Sequence, residues 1–406
     1  MLLTLLSAEF TRNLIGMNTG IYGVSKANAA FTYCLECQDR YLLDYRLRAN
    51  KQGSALVMNL PIDKEKKRVA AWLISCCFLV FVMVVLGGVT RLTGSGLSMV
   101  DWRPVTGVLP PLSDIEWSKT FAQYRESPEF QKINFMMDMQ GFKRIFWYEY
   151  LHRLFGRLIG VVFLIPFLYF LVRGYIYRHE WPKYLLMFIL GGMQGVLGWY
   201  MVKSGLVDNP HVSQYRLTAH LIAAFVIYAY MFWVAMDLLY RNSDGHRHFW
   251  YSKTVGLAAL VIVTVISGGF VAGLKAGLVY NTFPLMGEQL VPPGIFALEP
   301  VWKNFFDSVV TVQFNHRILA ITTFVAVIAY WYFGRHQGFP SRARPALDIL
   351  LLLAIVQVGL GVSTLVLHVP VALAALHQAT ALLLFTVMIY LCHALHGARS
   401  QRVRGG

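Results

Sequence analysis

Eight stretches of this chain are each apolar for about the length that crosses a bilayer, and that excludes most folds at once. They run Val69–Val89, Trp147–Val172, Tyr184–Val202, Leu217–Tyr240, Thr254–Gly273, Val312–Phe333, Leu347–Leu367 and Val371–Leu395. A spanning helix needs about 20 apolar residues. Hydrocarbon offers the backbone no hydrogen-bond partner, so such segments are helices. Only 14% of the 406 residues are charged, against about 25% in a soluble domain, and mean hydropathy is +0.51. The expected fold is an all-α integral membrane protein with eight transmembrane helices.

The net charge of +15 could point to a nucleic-acid partner, but its placement argues against one. Lys64, Lys66, Lys67 and Arg68 precede the first segment, and Arg173, Arg178 and Lys183 follow the second. Arg241, Arg247 and Lys253 lie between the fourth and fifth, and Arg335, Arg342 and Arg344 between the sixth and seventh; Arg399, Arg402 and Arg404 close the chain. In an eight-helix topology all of these share one side, as the positive-inside rule requires. Both termini are therefore expected in the cytoplasm or matrix.

Four histidines, His152, His220, His316 and His377, lie near the starts of the second, fourth, sixth and eighth segments, on the opposite side. Ionisable groups at membrane depth are costly without a partner. Two imidazoles on facing helices can ligate a heme iron from both sides. Zinc is disfavoured, because it prefers four close ligands. The five cysteines include none in an outer loop, so no disulfide is expected there; Cys34-x-x-Cys37 lacks a second pair.

The two halves repeat one another. Gly87-Gly88 ends the first segment and Gly268-Gly269 the fifth; Glu149-Tyr-Leu-His152-Arg153 opens the second and Gln313-Phe-Asn-His316-Arg317 the sixth. Gln194-Gly-Val-Leu-Gly198 is matched by Gln357-Val-Gly-Leu-Gly361, and His220 by His377. With four helices per half the repeat is parallel. The expected architecture is two four-helix bundles, residues 68–245 and 246–406, after an N-terminal extension of residues 1–67 that reads as a weak targeting segment or a tail.

Arg153 and Arg317 follow histidines directly, Arg216 precedes His220 by one turn, and Arg91 is close to the same surface. Each is a candidate partner for heme propionates or an interfacial snorkelling residue. Glu149 shares a helix face with His152, while its counterpart in the second half is the neutral Gln313. A di-iron bundle would need two Glu-x-x-His motifs, and the second half supplies none. The asymmetry suits one heme that is acted upon and one that carries electrons.

Longer runs carry a resemblance. Leu86-Gly-Gly-Val-Thr-Arg-Leu-Thr-Gly-Ser-Gly-Leu-Ser-Met-Val-Asp-Trp102 is similar to heme A synthases of the mitochondrial and alphaproteobacterial type. So are Gly198-Trp-Tyr-Met-Val-Lys-Ser-Gly-Leu206, Val212-Ser-Gln-Tyr-Arg-Leu-Thr-Ala-His220 and Gly273-Leu-Lys-Ala-Gly-Leu-Val-Tyr-Asn-Thr-Phe-Pro284. The likeness covers roughly residues 65 to 395. It implies oxidation of a ring methyl of heme O to the formyl group of heme A, for cytochrome c oxidase assembly. By motif, it implies that His152 and His220 hold the substrate heme O, that His316 and His377 hold a heme b cofactor, and that Glu149 is the required carboxylate. It also implies the mitochondrial inner membrane, heme sites toward the intermembrane space, and a homo-oligomer. Expected partners are a heme O synthase and a redox partner, ferredoxin-like or quinone. Loop cysteines found in some bacterial members are missing here. A carboxylate beside the methyl would stabilise developing positive charge and accept a proton. The rival reading is a diheme b-type transmembrane electron-transfer cytochrome, which explains the histidines equally well and the Glu149/Gln313 difference less well.

Overall fold

The computed structural model describes residues 63–101, 107–207, 210–240 and 247–396. Residues 1–62 of the N-terminal extension, with Cys34 and Cys37, and Arg241, Arg399, Arg402 and Arg404 lie outside the described residues, while residues 64–67 belong to the first helix. The regular elements are helical: α1 (Lys64–Leu92), α2 (Asp114–Arg125), α3 (Pro128–Lys132), α4 (Met139–Val172), α5 (Trp181–Lys203), α6 (Gln214–Leu239), α7 (Tyr251–Gly273), α8 (Asn304–Asp307), α9 (Val309–Arg335), α10 (Arg344–Val366) and α11 (Val371–Leu395). The eight long ones, α1, α4, α5, α6, α7, α9, α10 and α11, are apolar and long enough to cross a membrane, and they correspond one to one with the eight expected segments.

Their ends extend beyond the apolar runs. α1 starts at Lys64 behind an Asp63 cap, and α4 starts at Met139 behind Asp138, whose side chain accepts from Gly141 N. Hydropathy falls where Lys143 and Arg144 enter, but the helical hydrogen bonds continue through polar residues. His152 thus lies about 20 Å along α4 rather than near its start.

In each half, consecutive neighbours close a ring. α1 touches α4 and α6, and α5 touches the same two; α7 touches α9 and α11, and α10 touches the same two. The halves meet through α1, α6, α7 and α11. Burial agrees, because α1, α6 and α11 each have 39% of their spanning window buried while α5 has 6%. α1 earns its central place by pattern: Val69, Leu73, Cys76, Cys77, Val80, Val84 and Gly88 recur at helical spacing on its buried face. Cross-half ties include Tyr228 Oη with Thr386 Oγ1 at 2.9 Å and the tilted ring pair Phe225 and Phe385, centroids 5.4 Å apart. Cys76, Cys77 and Cys392 are buried thiols in these helices.

A small cap covers the first ring at its histidine end. Ser113 starts α2 with a reciprocal capping box to Glu116. α2 and α3 then fold onto the first turns of α4, and Trp117, Tyr124, Phe142, Ile145, Phe146 and Tyr150 form a second apolar cluster. Phe142 is its centre, with ring centroids 5.1 Å from both Phe121 and Tyr124. Phe142→Ala is expected to cost the cap about 3–5 kcal/mol. Limited proteolysis should then cut residues 107–138 while the membrane helices stay intact; an unchanged digestion pattern would mean that the cap is held elsewhere.

Candidate functional site

The four histidines occupy equivalent places. His152 on α4 and His220 on α6 stand on opposite helices of the first ring, and His316 on α9 and His377 on α11 on opposite helices of the second. Within each pair the rings are within electrostatic reach of one another. The intervening helices supply glycines. A Cβ built on Gly87 of α1 would stand 3.1 Å from His152 Cε1, and on Gly198 of α5, 3.0 Å from His220 Cε1. The second ring repeats this with Gly268 and His316 at 3.1 Å, and Gly361 and His377 at 2.9 Å. Each imidazole therefore packs its Cε1 edge against bare backbone, in space that a side chain would take.

The neighbouring glycine of each Gly-Gly pair serves a different contact. A Cβ on Gly88 would collide with Gln378 of α11, and one on Gly269 would meet Thr218 Oγ1 of α6 at 2.8 Å. So one glycine admits a histidine of its own ring, and the next lets the other half approach. Gln378 Nε2 also donates to Val84 O at 2.8 Å. On α5, Gly191, Gly192 and Gly195 face open space.

Hydrogen bonds orient the imidazoles unequally. Ser267 Oγ is 2.8 Å from His316 Nδ1, and His377 Nδ1 is 3.2 Å from Gln357 O. In the first ring, Nδ1 of His152 and of His220 is buried without a partner among the described residues, and Gln194 Nε2 donates to His220 O. No three His, Cys, Asp or Glu side chains converge among the described residues, so each candidate site is a histidine pair.

Glu149 is 3% exposed. Its Oε2 accepts from Ser98 Oγ at 2.7 Å and Met99 N at 2.8 Å, and its Oε1 from Arg153 Nη2 at 2.6 Å. Arg153 also donates to Met99 O and Asp101 O. The pair thereby fastens the loop after α1. Gln313 and Arg317 fasten the loop after α7 in the same way, through Gln313 Nε2 to Tyr280 O and Arg317 to Tyr280 O, Thr282 O and Leu285 O. Arg216 donates to Tyr200 O with its guanidinium 3.8 Å over the Tyr200 ring. The Arg91 guanidinium makes no hydrogen bond among the described residues, and Arg317 Nε is buried without one.

The sequence marks the histidines and charged residues but shows neither the histidine–glycine contacts nor the loop carbonyls that hold the arginines. Glycines recurring four residues after Gln194 and Gln357 were the available signal. Their partners lie on other helices, which spacing along one helix does not reveal.

The COX15-CtaA family, described as cytochrome oxidase assembly protein, matches residues 70–389. A Heme A synthase of Nitrosospira multiformis is 53% identical over 335 residues, covering 81% of this chain and 94% of the relative. The Heme A synthase COX15 of Arabidopsis thaliana is 45% identical, covering 85% and 78% respectively, and that of Homo sapiens is 43% identical, covering 85% and 86%. With a family match over most of its length and relatives this similar, the chain belongs to the COX15-CtaA family of cytochrome oxidase assembly proteins.

Proposed function

We propose that this chain is a heme A synthase, an oxidoreductase that converts the ring methyl of heme O to the formyl group of heme A. The observation that carries the reading is the fourfold imidazole-on-glycine arrangement, two per ring. Such an arrangement suits a flat macrocycle between opposite helices. The open face of Gly191, Gly192 and Gly195 adds to the fit. We assign His152 and His220 to substrate heme O, and His316 and His377 to a heme b cofactor. Heme b, held there, would supply one-electron transfer.

The chain's own residues divide the remaining work. Glu149 supplies a fixed negative charge at the first ring, oriented by three donors, that opposes positive charge building on the methyl carbon. Arg91 is the cation most free to meet a propionate; Arg153, Arg216 and Arg317 do so while anchoring their loops. Residues 68–245 and 246–406 are, on this reading, repeat units in a parallel arrangement. The basic loops set the termini in the matrix and the histidine end toward the intermembrane space, in the mitochondrial inner membrane. Electrons leave to a ferredoxin-like protein or a quinone, and a heme O synthase delivers substrate to a homo-oligomer.

The test is acid–acetone extraction of heme from the purified protein, resolved by chromatography and mass spectrometry. Heme B together with heme O, partly oxidised heme O or heme A is the expected result. Heme B alone, from a host that makes heme O, would replace the synthase reading with a diheme electron-transfer cytochrome.

A further inference from the structure

Among the described residues only two carboxylate side chains are buried, Glu149 and Glu129, at 3% and 7% exposure. Both belong to the first ring and its cap. The second ring buries neutral amides at its corresponding end, Gln313 and Asn304. Asn304 is fully satisfied within its own turn, bonding Leu298 N, Leu298 O and Val301 O.

The two carboxylates are treated differently. Glu149 has three donors. Glu129 has one among the described residues: the Tyr124 hydroxyl donates to its Oε2 at 3.0 Å, and Tyr124 in turn accepts from Asn134 Nδ2 at 2.8 Å. The ionisable groups that act on Glu129 come from three further elements: Tyr124 on α2, Glu149 on α4 and Lys275 in the turn after α7. Arg153 is paired with Glu149 at 2.6 Å. Burial pushes the Glu129 carboxyl up to about 7; the Tyr124 bond and Lys275 oppose the rise and the Glu149 charge adds to it. A glutamine would keep the Tyr124 contact without the cost of burying a charge. A buried carboxyl held by a single hydroxyl donor among the described residues, in the cap of a ring whose other buried carboxyl is held by three donors, is built for exchange rather than for support.

We propose that Glu129 is the proton-exchange group of the first ring, acting through Glu149. Its carboxylate takes up a proton released beside Glu149 and becomes the carboxylic acid. The same proton then leaves to water at the histidine end and restores the carboxylate, so no electron moves at Glu129. The assignment rests on the heme A synthase reading and names a positioning residue, not one that touches substrate.

The test uses the full-length protein with its hemes bound. Infrared difference spectra across pH 5 to 9 should show a protonated carboxyl band titrating near pH 7 that is lost in Glu129→Gln. In Tyr124→Phe, which removes a donor that favours the ionised form, the same band should titrate at higher pH. Glu129→Gln should keep the heme spectrum and lose at least about tenfold in heme A formation, with its pH inflection gone; Glu129→Asp should restore part of it. A wild-type rate and pH profile in Glu129→Gln, or a carboxyl band that survives it, overturns the proposal. Wild-type protein that forms no heme A in the same assay sinks the synthase reading instead, and this assignment with it.

Discussion

Glu149→Gln is expected to keep both hemes and to lower heme A formation by at least about 100-fold. The change removes one charge and little volume. Oε2 holds Ser98 and Met99 N, and Oε1 holds Arg153, so an amide must aim its NH2 at a donor on one side. Arg153 keeps Met99 O and Asp101 O, and the loop after α1 stays attached. The second ring makes the same attachment with a neutral Gln313. Fastening a loop therefore does not require the charge, and the proposed role for the charge is chemistry on the substrate. Glu149→Ala would be a poorer test, because breaking a buried pair costs about 3–5 kcal/mol. Heme content by pyridine hemochrome and product by chromatography decide the matter. Heme A made at the normal rate by Glu149→Gln would reduce the residue to a loop anchor.

Gly361→Val is expected to expel the second ring's heme and spare the first. A bare Cβ at Gly361 is already 2.9 Å from His377 Cε1, and the two further carbons of valine leave the imidazole no place. Gly87→Val should do the reverse, through His152 in the first ring. Gly256, which faces open space near the start of α7 and away from the histidine end, gives the control for a β-branched residue in a membrane helix. Heme-to-protein ratio and redox titration read the outcome. Loss of both hemes from either variant, or from neither, would contradict one independent site per ring. Activity should vanish in both under the proposed assignment, which gives the substrate to one ring and the electron carrier to the other.

Much of this was legible from residue order. Apolar length set the eight spans, since the hydrocarbon slab has a fixed thickness and the backbone has one way to cross it. The helix ends were not legible: α4 runs back to Met139, because helical hydrogen bonds tolerate Lys143 and Arg144 where a hydropathy window does not. The cap was invisible for a related reason. Asp114–Arg144 mixes charges of both signs, and only the packing of Trp117, Phe121 and Tyr124 on Phe142 makes its first part a folded unit. Glu129 stayed unremarked as one acid among several; its burial comes from that cap.

The sequence by itself determined what kind of protein this is: eight membrane helices, four matched histidines and one carboxylate without a counterpart. These are properties of composition and spacing along single helices, where neighbours are fixed by covalent geometry. The tertiary structure alone decided what each group faces. Gly87, Gly198, Gly268 and Gly361 meet imidazoles on other helices, Arg153 and Arg317 grip loop carbonyls, and Arg216 lies over Tyr200. The physical reason is that such contacts depend on how helices rotate and cross, which is set by packing among residues far apart in the chain.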